Sequence, residues 1–160
     1  MARILLFTDG SVHVQSGIGY GAFLFVSEIE ESLEKLKKDV QTKRFDLTSS
    51  TKLELQTLLW ALSGLQETTN EIIVFSDSQN ISGLLARRER LERNNFKSKT
   101  NKRLTNADLY MQFFSIINLL DVQFVKVKGH KSSREKNRID QIFTLVDRAS
   151  RQALRNEVKE

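Results

Sequence analysis

Two short apolar runs in this chain each lead directly into a carboxylate, and few folds accommodate that layout twice. The first is Ile4-Leu5-Leu6-Phe7, followed by Thr8-Asp9-Gly10-Ser11. The second is Glu71-Ile72-Ile73-Val74-Phe75-Ser76, followed by Asp77-Ser78-Gln79. Each has the length and the branched or aromatic content of a buried strand bounded by a turn signal. A lone aspartate before glycine is ordinarily a turn-former. Two such strands side by side instead aim two acids at one spot, which is the beginning of a metal site.

The remaining segments supply the rest of a sheet and its covering helices. Residues 2–7 form the first predicted strand, 12–17 a turn, and 19–26 a strand returning antiparallel. The glycines of that returning strand mark a tight corner or a close backbone approach. Ile29, Leu33, Leu36 and Val40 follow helical spacing, so residues 27–39 are expected to include a short surface helix. Residues 40–47 are polar enough for a strand near an edge. Ser49 or Ser50 can cap a helix carrying Leu55, Leu58, Leu59 and Leu62 and reaching about Gln66, with Ser50 and Glu54 resembling a capping arrangement. Glu54 lies in its first turn, where the helix dipole alone would favour a carboxylate. After the strand at 71–76, helices are expected over 78–90 and from a Thr105–Asp108 capping box through Leu109, Phe113, Ile116 and Leu120. Residues 122–128 alternate with period two, and a last helix carries Ile139, Ile142, Val146, Ala149 and Ala153 on one face. The order β-β-β-α-β-α-α-β-α predicts an α/β fold, a mixed sheet with helices packed over it.

With 160 residues, 39% of them hydrophobic, the chain suits one domain spanning 1–160 with a real core. No repeat or low-complexity linker divides it. It has no apolar run long enough to cross a bilayer and none of the features of a signal peptide at its start. The absence of cysteine excludes thiolate metal sites and suits a reducing cytoplasm. The net charge is +5, but its distribution says more. Between Arg87 and Arg103 there are eight basic residues (Arg87, Arg88, Arg90, Arg93, Lys97, Lys99, Lys102, Arg103) and two acids (Glu89, Glu92). A cationic concentration of this kind attracts polyanions, nucleic acid foremost.

Taken together, Thr8-Asp9-Gly10-Ser11, Gly19-Tyr20-Gly21-Ala22, Leu53-Glu54-Leu55, Ser76-Asp77-Ser78-Gln79, Asn106-Ala107-Asp108-Leu109 and Val127-Lys128-Gly129-His130 resemble the type 1 ribonuclease H family in order and rough spacing. The resemblance covers most of the chain, with residues 27–39 as extra length. It implies a mixed five-stranded sheet, three antiparallel strands followed by parallel additions, with helices on both faces. It also implies four carboxylates that bind two divalent cations, Mg²⁺ with Mn²⁺ as the alternative, and cleave the RNA strand of an RNA–DNA hybrid. Hard oxygen ligands suit such ions, and a metal pair activates water, neutralises phosphoryl oxygens and stabilises the leaving group.

Asp9, Glu54 and Asp77 match three of the four positions. Counting ten residues from His130 places the fourth at Asp140, whereas the run Asp147-Arg148-Ala149-Ser150 resembles the family's last helix. Seven residues make nearly two helical turns, so both acids share a face. Small residues after Asp147, against the bulky Phe143 after Asp140, favour Asp147 where a helix must lie close to a sheet. His130, in the family's Gly-His loop, is implied to assist proton transfer or product release; His13 has no matching role. Ser49, Ser50, Thr51, Gln79 and Asn106 match minor-groove contacts that sense the 2′-hydroxyl, with Ser50 and Thr51 in place of the usual amides. The basic segment, with Arg87, Arg88 and Arg90, matches a cationic protrusion that grips the DNA strand. A monomer is expected. Two other readings remain open: a catalytically silent hybrid- or RNA-binding module, and a DNA-directed, resolvase-like nuclease.

Overall fold

A computed structural model describes residues 3–65, 70–128 and 137–158. The elements in chain order are strands β1 (Arg3–His13) and β2 (Ile18–Val26), helix α1 (Leu33–Asp39), strand β3 (Gln41–Phe45), helix α2 (Ser50–Ser63), strand β4 (Glu71–Ser76), helices α3 (Gln79–Arg93) and α4 (Ala107–Leu119), strand β5 (Asp121–Lys126) and helix α5 (Arg138–Val158). They build a five-stranded mixed sheet in the order β3-β2-β1-β4-β5. β2 pairs antiparallel with β1 and β3, while β4 pairs parallel with β1 and β5.

Side chains alternate across the sheet and so divide the interior in two. Leu6, Ile72 and Val74 face one way, into a cluster with Leu55, Leu58 and Leu62 of α2, Ile81 and Leu84 of α3, and Phe113 of α4. Phe7, Leu24, Val26 and Phe75 face the other, against Leu36 of α1 and Ile142, Phe143 and Val146 of α5. Each large side chain buried this way contributes about 1.5–3 kcal/mol before conformational entropy is subtracted. The sheet is thus covered on both faces, as the resemblance implied.

Several local features differ from expectation. β1 does not stop at Phe7. Its parallel pairing with β4 ends at Phe7↔Phe75, but its antiparallel pairing with β2 continues to His13↔Ile18. Asp9-Gly10-Ser11 is therefore strand paired on one side only, and the turn contracts to residues 14–17, with Gly17 at φ +72°. The Thr105–Asp108 capping box is not formed either: Asn106 occupies the cap position without a side-chain hydrogen bond, and Asp108 pairs with Arg103 instead. Of the two candidate caps of α2, Ser49 is the one used, accepting from the Lys52 backbone N–H at 3.3 Å, whereas the Ser50–Glu54 arrangement is not formed because Glu54 turns to Ser78.

Glycine lets α2 lie close to this part of the sheet. A Cβ on Gly21 would sit 2.1 Å from Thr57 Oγ1, and one on Gly10 would sit 2.8 Å from Leu53 Cδ2. The glycines of β2 thus mark a close approach, and the helix they admit is the one that carries Glu54.

Candidate active site

The site grows out of the point where β1 and β4 part. Phe7 and Phe75, the last paired residues, stack with ring centroids 4.8 Å apart at 12°. Asp9 and Asp77 each lie two residues further on. Period-two alternation puts Asp9 on the Phe7 side of β1, the side that α5 covers. α5 is drawn close there because Ser150 is fully buried and its Oγ lies 3.2 Å from Ser11 Oγ on β1. One turn earlier on the helix is Asp147, whose carboxyl shares a hydrogen bond with Asp9. From the opposite face α2 brings in Glu54, whose Oε2 accepts a hydrogen bond from Ser78 Oγ at 2.5 Å. Ser78 also caps α3 by accepting from the Ile81 N–H at 3.2 Å, so one hydroxyl fixes both the helix start and the glutamate.

Crowding of like charge shows in the protonation of these groups. Asp9 is pushed up to about 9, first by burial, then by the charge of Asp77 and the hydrogen bond and charge of Asp147; the Gly10 backbone opposes this. Burial also raises Glu54, helped by Asp77 and opposed by the Ser78 hydroxyl. Asp147 is offset by Arg151, with Nε 3.0 Å from Oδ1. Among the described residues, no three acid or histidine side chains already converge on a single ion. Glu54 is held by Ser78 and Asp147 by Arg151 instead.

The profile of the RNase H family matches residues 1–152. The chain belongs to the RNase H family. It is accordingly a nuclease, of the class that hydrolyses RNA strands. A Ribonuclease H from Actinobacillus succinogenes is 31% identical over 142 residues, which are 88% of this chain and 86% of that protein. The solved PFV RNase H domain superposes with a TM-score of 0.72 at 14% identity, covering 93% of this chain and 92% of that one. The foamy viral protease-reverse transcriptase, solved in complex with an RNA/DNA hybrid, superposes with a TM-score of 0.66 at 11% identity, over 94% of this chain and 19% of that one.

Against that RNase H background the remaining expected residues fall into four groups. Asp140 stands at the start of α5, where its Oδ2 accepts from the Asn137 N–H at 3.1 Å while Asn137 Oδ1 accepts from its own N–H at 3.0 Å. This reciprocal cap is about 10 Å along the helix from Asp147. His130 lies outside the described residues. Ser49, Ser50 and Thr51 are exposed at the N-terminus of α2, Gln79 is exposed in the first turn of α3, and Asn106 is half-buried before α4.

The arginines separate by their contacts. Arg87 donates to Asn80 Oδ1 at 2.9 Å, and Arg88 bridges Glu92 and Asn118 over the Phe114 ring. The Arg90 side chain is exposed and makes no ion pair or hydrogen bond with the described residues. It lines a cleft of about 670 Å³ with Arg87, Lys97, Lys99, Asn94 and Tyr110. Sequence reasoning gave no role to Ser78 or Arg151. Ser78 sits at a cap position immediately after Asp77, and Arg151 is four residues from Asp147. Both spacings are visible in the chain, but only contact with an acid from another element makes them matter.

Proposed function

We propose that this protein cleaves the RNA strand of RNA–DNA hybrids using two divalent cations, Mg²⁺ first among them, held by Asp9, Glu54, Asp77 and Asp147. The observation that carries the reading is the placement of Asp9 on the α5 side of β1, beside Asp147 and within the field of Asp77 past the end of β4, where burial and these like charges raise its carboxyl to about 9. A cluster of that kind has an unmet need for positive charge, and its donors are all hard oxygens, which fits Mg²⁺ or Mn²⁺. When bound, such ions supply an activated water and neutralise charge on the phosphoryl oxygens. The chain's own part is to place the carboxylates. Stacked Phe7 and Phe75 form an apolar floor, Ser78 orients Glu54, and the Ser11–Ser150 contact keeps α5 against β1.

Asp140 is not needed as a ligand on this reading, because its carboxylate caps α5. His130 keeps the proton-transfer or product-release role implied by the resemblance. The exposed hydroxyls of Ser49, Ser50 and Thr51, with Gln79 and Asn106, lie at helix N-termini where they can meet a minor groove and sense 2′-hydroxyls. Arg90, Lys97 and Lys99 offer the cleft side to the DNA strand's phosphates. A structural relative solved with an RNA/DNA hybrid supports that substrate class.

The test is a cleavage assay on hybrid, double-stranded RNA and double-stranded DNA with Mg²⁺, Mn²⁺ or chelator. Metal-dependent cutting of the hybrid's RNA strand is the expected result. Binding without cutting would leave a silent module, and cutting of duplex DNA would make it a DNA-directed nuclease.

A further inference from the structure

Arg151 stands one helical turn beyond Asp147 on α5, its Nε 3.0 Å from Asp147 Oδ1. An ion pair spaced i,i+4 on a helix surface ordinarily does little. This one differs in its acid, which is half-buried and stands one turn before the Ser150–Ser11 contact that seats α5 on β1. Arg151 is exposed, so nothing in its own packing requires a charge at that position.

We infer that Arg151 is a positioning residue that occupies the cation's place at Asp147 in the metal-free protein and competes with the ion for that carboxylate. The inference rests on the proposed assignment of Asp147 as a metal ligand. The guanidinium holds the Asp147 carboxylate turned along α5, with Oδ1 facing Arg151 Nε. Its charge also opposes a divalent ion arriving at the same oxygen, so the four acids hold metal less tightly than they would alone. Ser78 has the corresponding place at Glu54, but as a neutral donor it orients without opposing the ion.

The experiment titrates the full chain with Mg²⁺ alone, without substrate, and follows binding by thermal shift and by backbone amide resonances of residues 9–11. Wild type is compared with Arg151→Gln, Arg151→Lys and Asp147→Asn. Arg151→Gln should bind Mg²⁺ roughly three- to tenfold more tightly, as expected for removing a unit charge a few ångströms from the ion. Arg151→Lys should stay near wild type. The gain should shrink as ionic strength rises, because the pair is exposed. Asp147→Asn should weaken binding at least tenfold. If Asp147→Asn leaves Mg²⁺ affinity unchanged, the ligand assignment fails. If Asp147→Asn weakens binding while Arg151→Gln leaves it unchanged or weaker, the assignment stands and the competition is refuted. Melting of each variant in chelator monitors folding separately from metal affinity.

Discussion

Replacing Asp9 by asparagine should make the metal-free protein more stable while abolishing its activity. In the unfolded chain this carboxyl titrates at 3.8; in the folded protein it is pushed up to about 9 by burial, Asp77 and Asp147. Between those values the folded protein holds a proton that the unfolded chain has released. Stability therefore falls with rising pH across this window, because the native state binds more protons. The sign is that of any group raised on folding: its contribution is intact below pH 3.8 and is lost as pH climbs through 9. The loss runs at about 1.4 kcal/mol per pH unit, reaching roughly 4 kcal/mol at pH 7 as an upper bound, before relaxation and water entry reduce it.

Asparagine keeps the shape and removes the titration. Urea unfolding in chelator from pH 4 to pH 9 is the assay. The two proteins should be nearly equal at pH 4, and the variant should gain progressively, by 1–4 kcal/mol near pH 7. Saturating Mg²⁺ should then raise the midpoint of the wild type but not that of the variant. Parallel curves across the pH range, or a variant less stable than wild type at pH 8, would refute the crowding argument.

Other substitutions separate site from scaffold. Asp147→Ala should eliminate Mg²⁺-dependent cleavage without loss of stability, whereas Asp140→Ala should cost about 1 kcal/mol through the lost cap and retain cleavage; paired melting and activity measurements decide it. Gly21→Ala drives a methyl to 2.1 Å from Thr57 Oγ1, and overpacking of this kind costs about 1–3 kcal/mol. Adding Thr57→Ala should recover much of that in urea unfolding. Arg90→Gln should lower the salt dependence of hybrid binding by about one counterion. Arg88→Gln should act on melting temperature instead, because its guanidinium is already committed to Glu92, Asn118 and Phe114.

The apolar runs and helical periods announced every element, because each face that needs burial writes its period into the chain. What local sequence did not contain was the partner on each side. Asp9-Gly10-Ser11 looks like the end of a strand because its residues are turn-formers. In the fold it is strand that has lost one neighbour and kept the other. Asp140 and Asp147 share a helix face, and distance from β1 sets them apart. The small Ser150 carried that signal, since only a small residue fits where the helix touches Ser11. Arg87, Arg88 and Arg90 are equivalent as letters, but Asn118, which occupies Arg88, is thirty residues away. Thr105 and Asp108 had the spacing of a cap, and an arginine five residues before the acid took it.

One-sided pairing of β1 also explains why the acids occur where they do. Each strand residue advances about 3.3 Å, so Asp9 stands some 7 Å beyond the last rung shared with β4. There β4 has given way to the start of α3, and a wedge opens in an otherwise apolar sheet. α5 closes one side through Ser11 and Ser150, and α2 closes the other through the glycine contacts. Leucine or phenylalanine in that wedge would be the stabilising choice. Carboxylates there repel one another and lose water, and only a partner of opposite charge recovers what they forfeit. Relief of the crowding and loss of function should therefore go together at Asp9. At Ser78, whose hydroxyl serves both a helix cap and Glu54, one substitution should instead harm stability and activity at once.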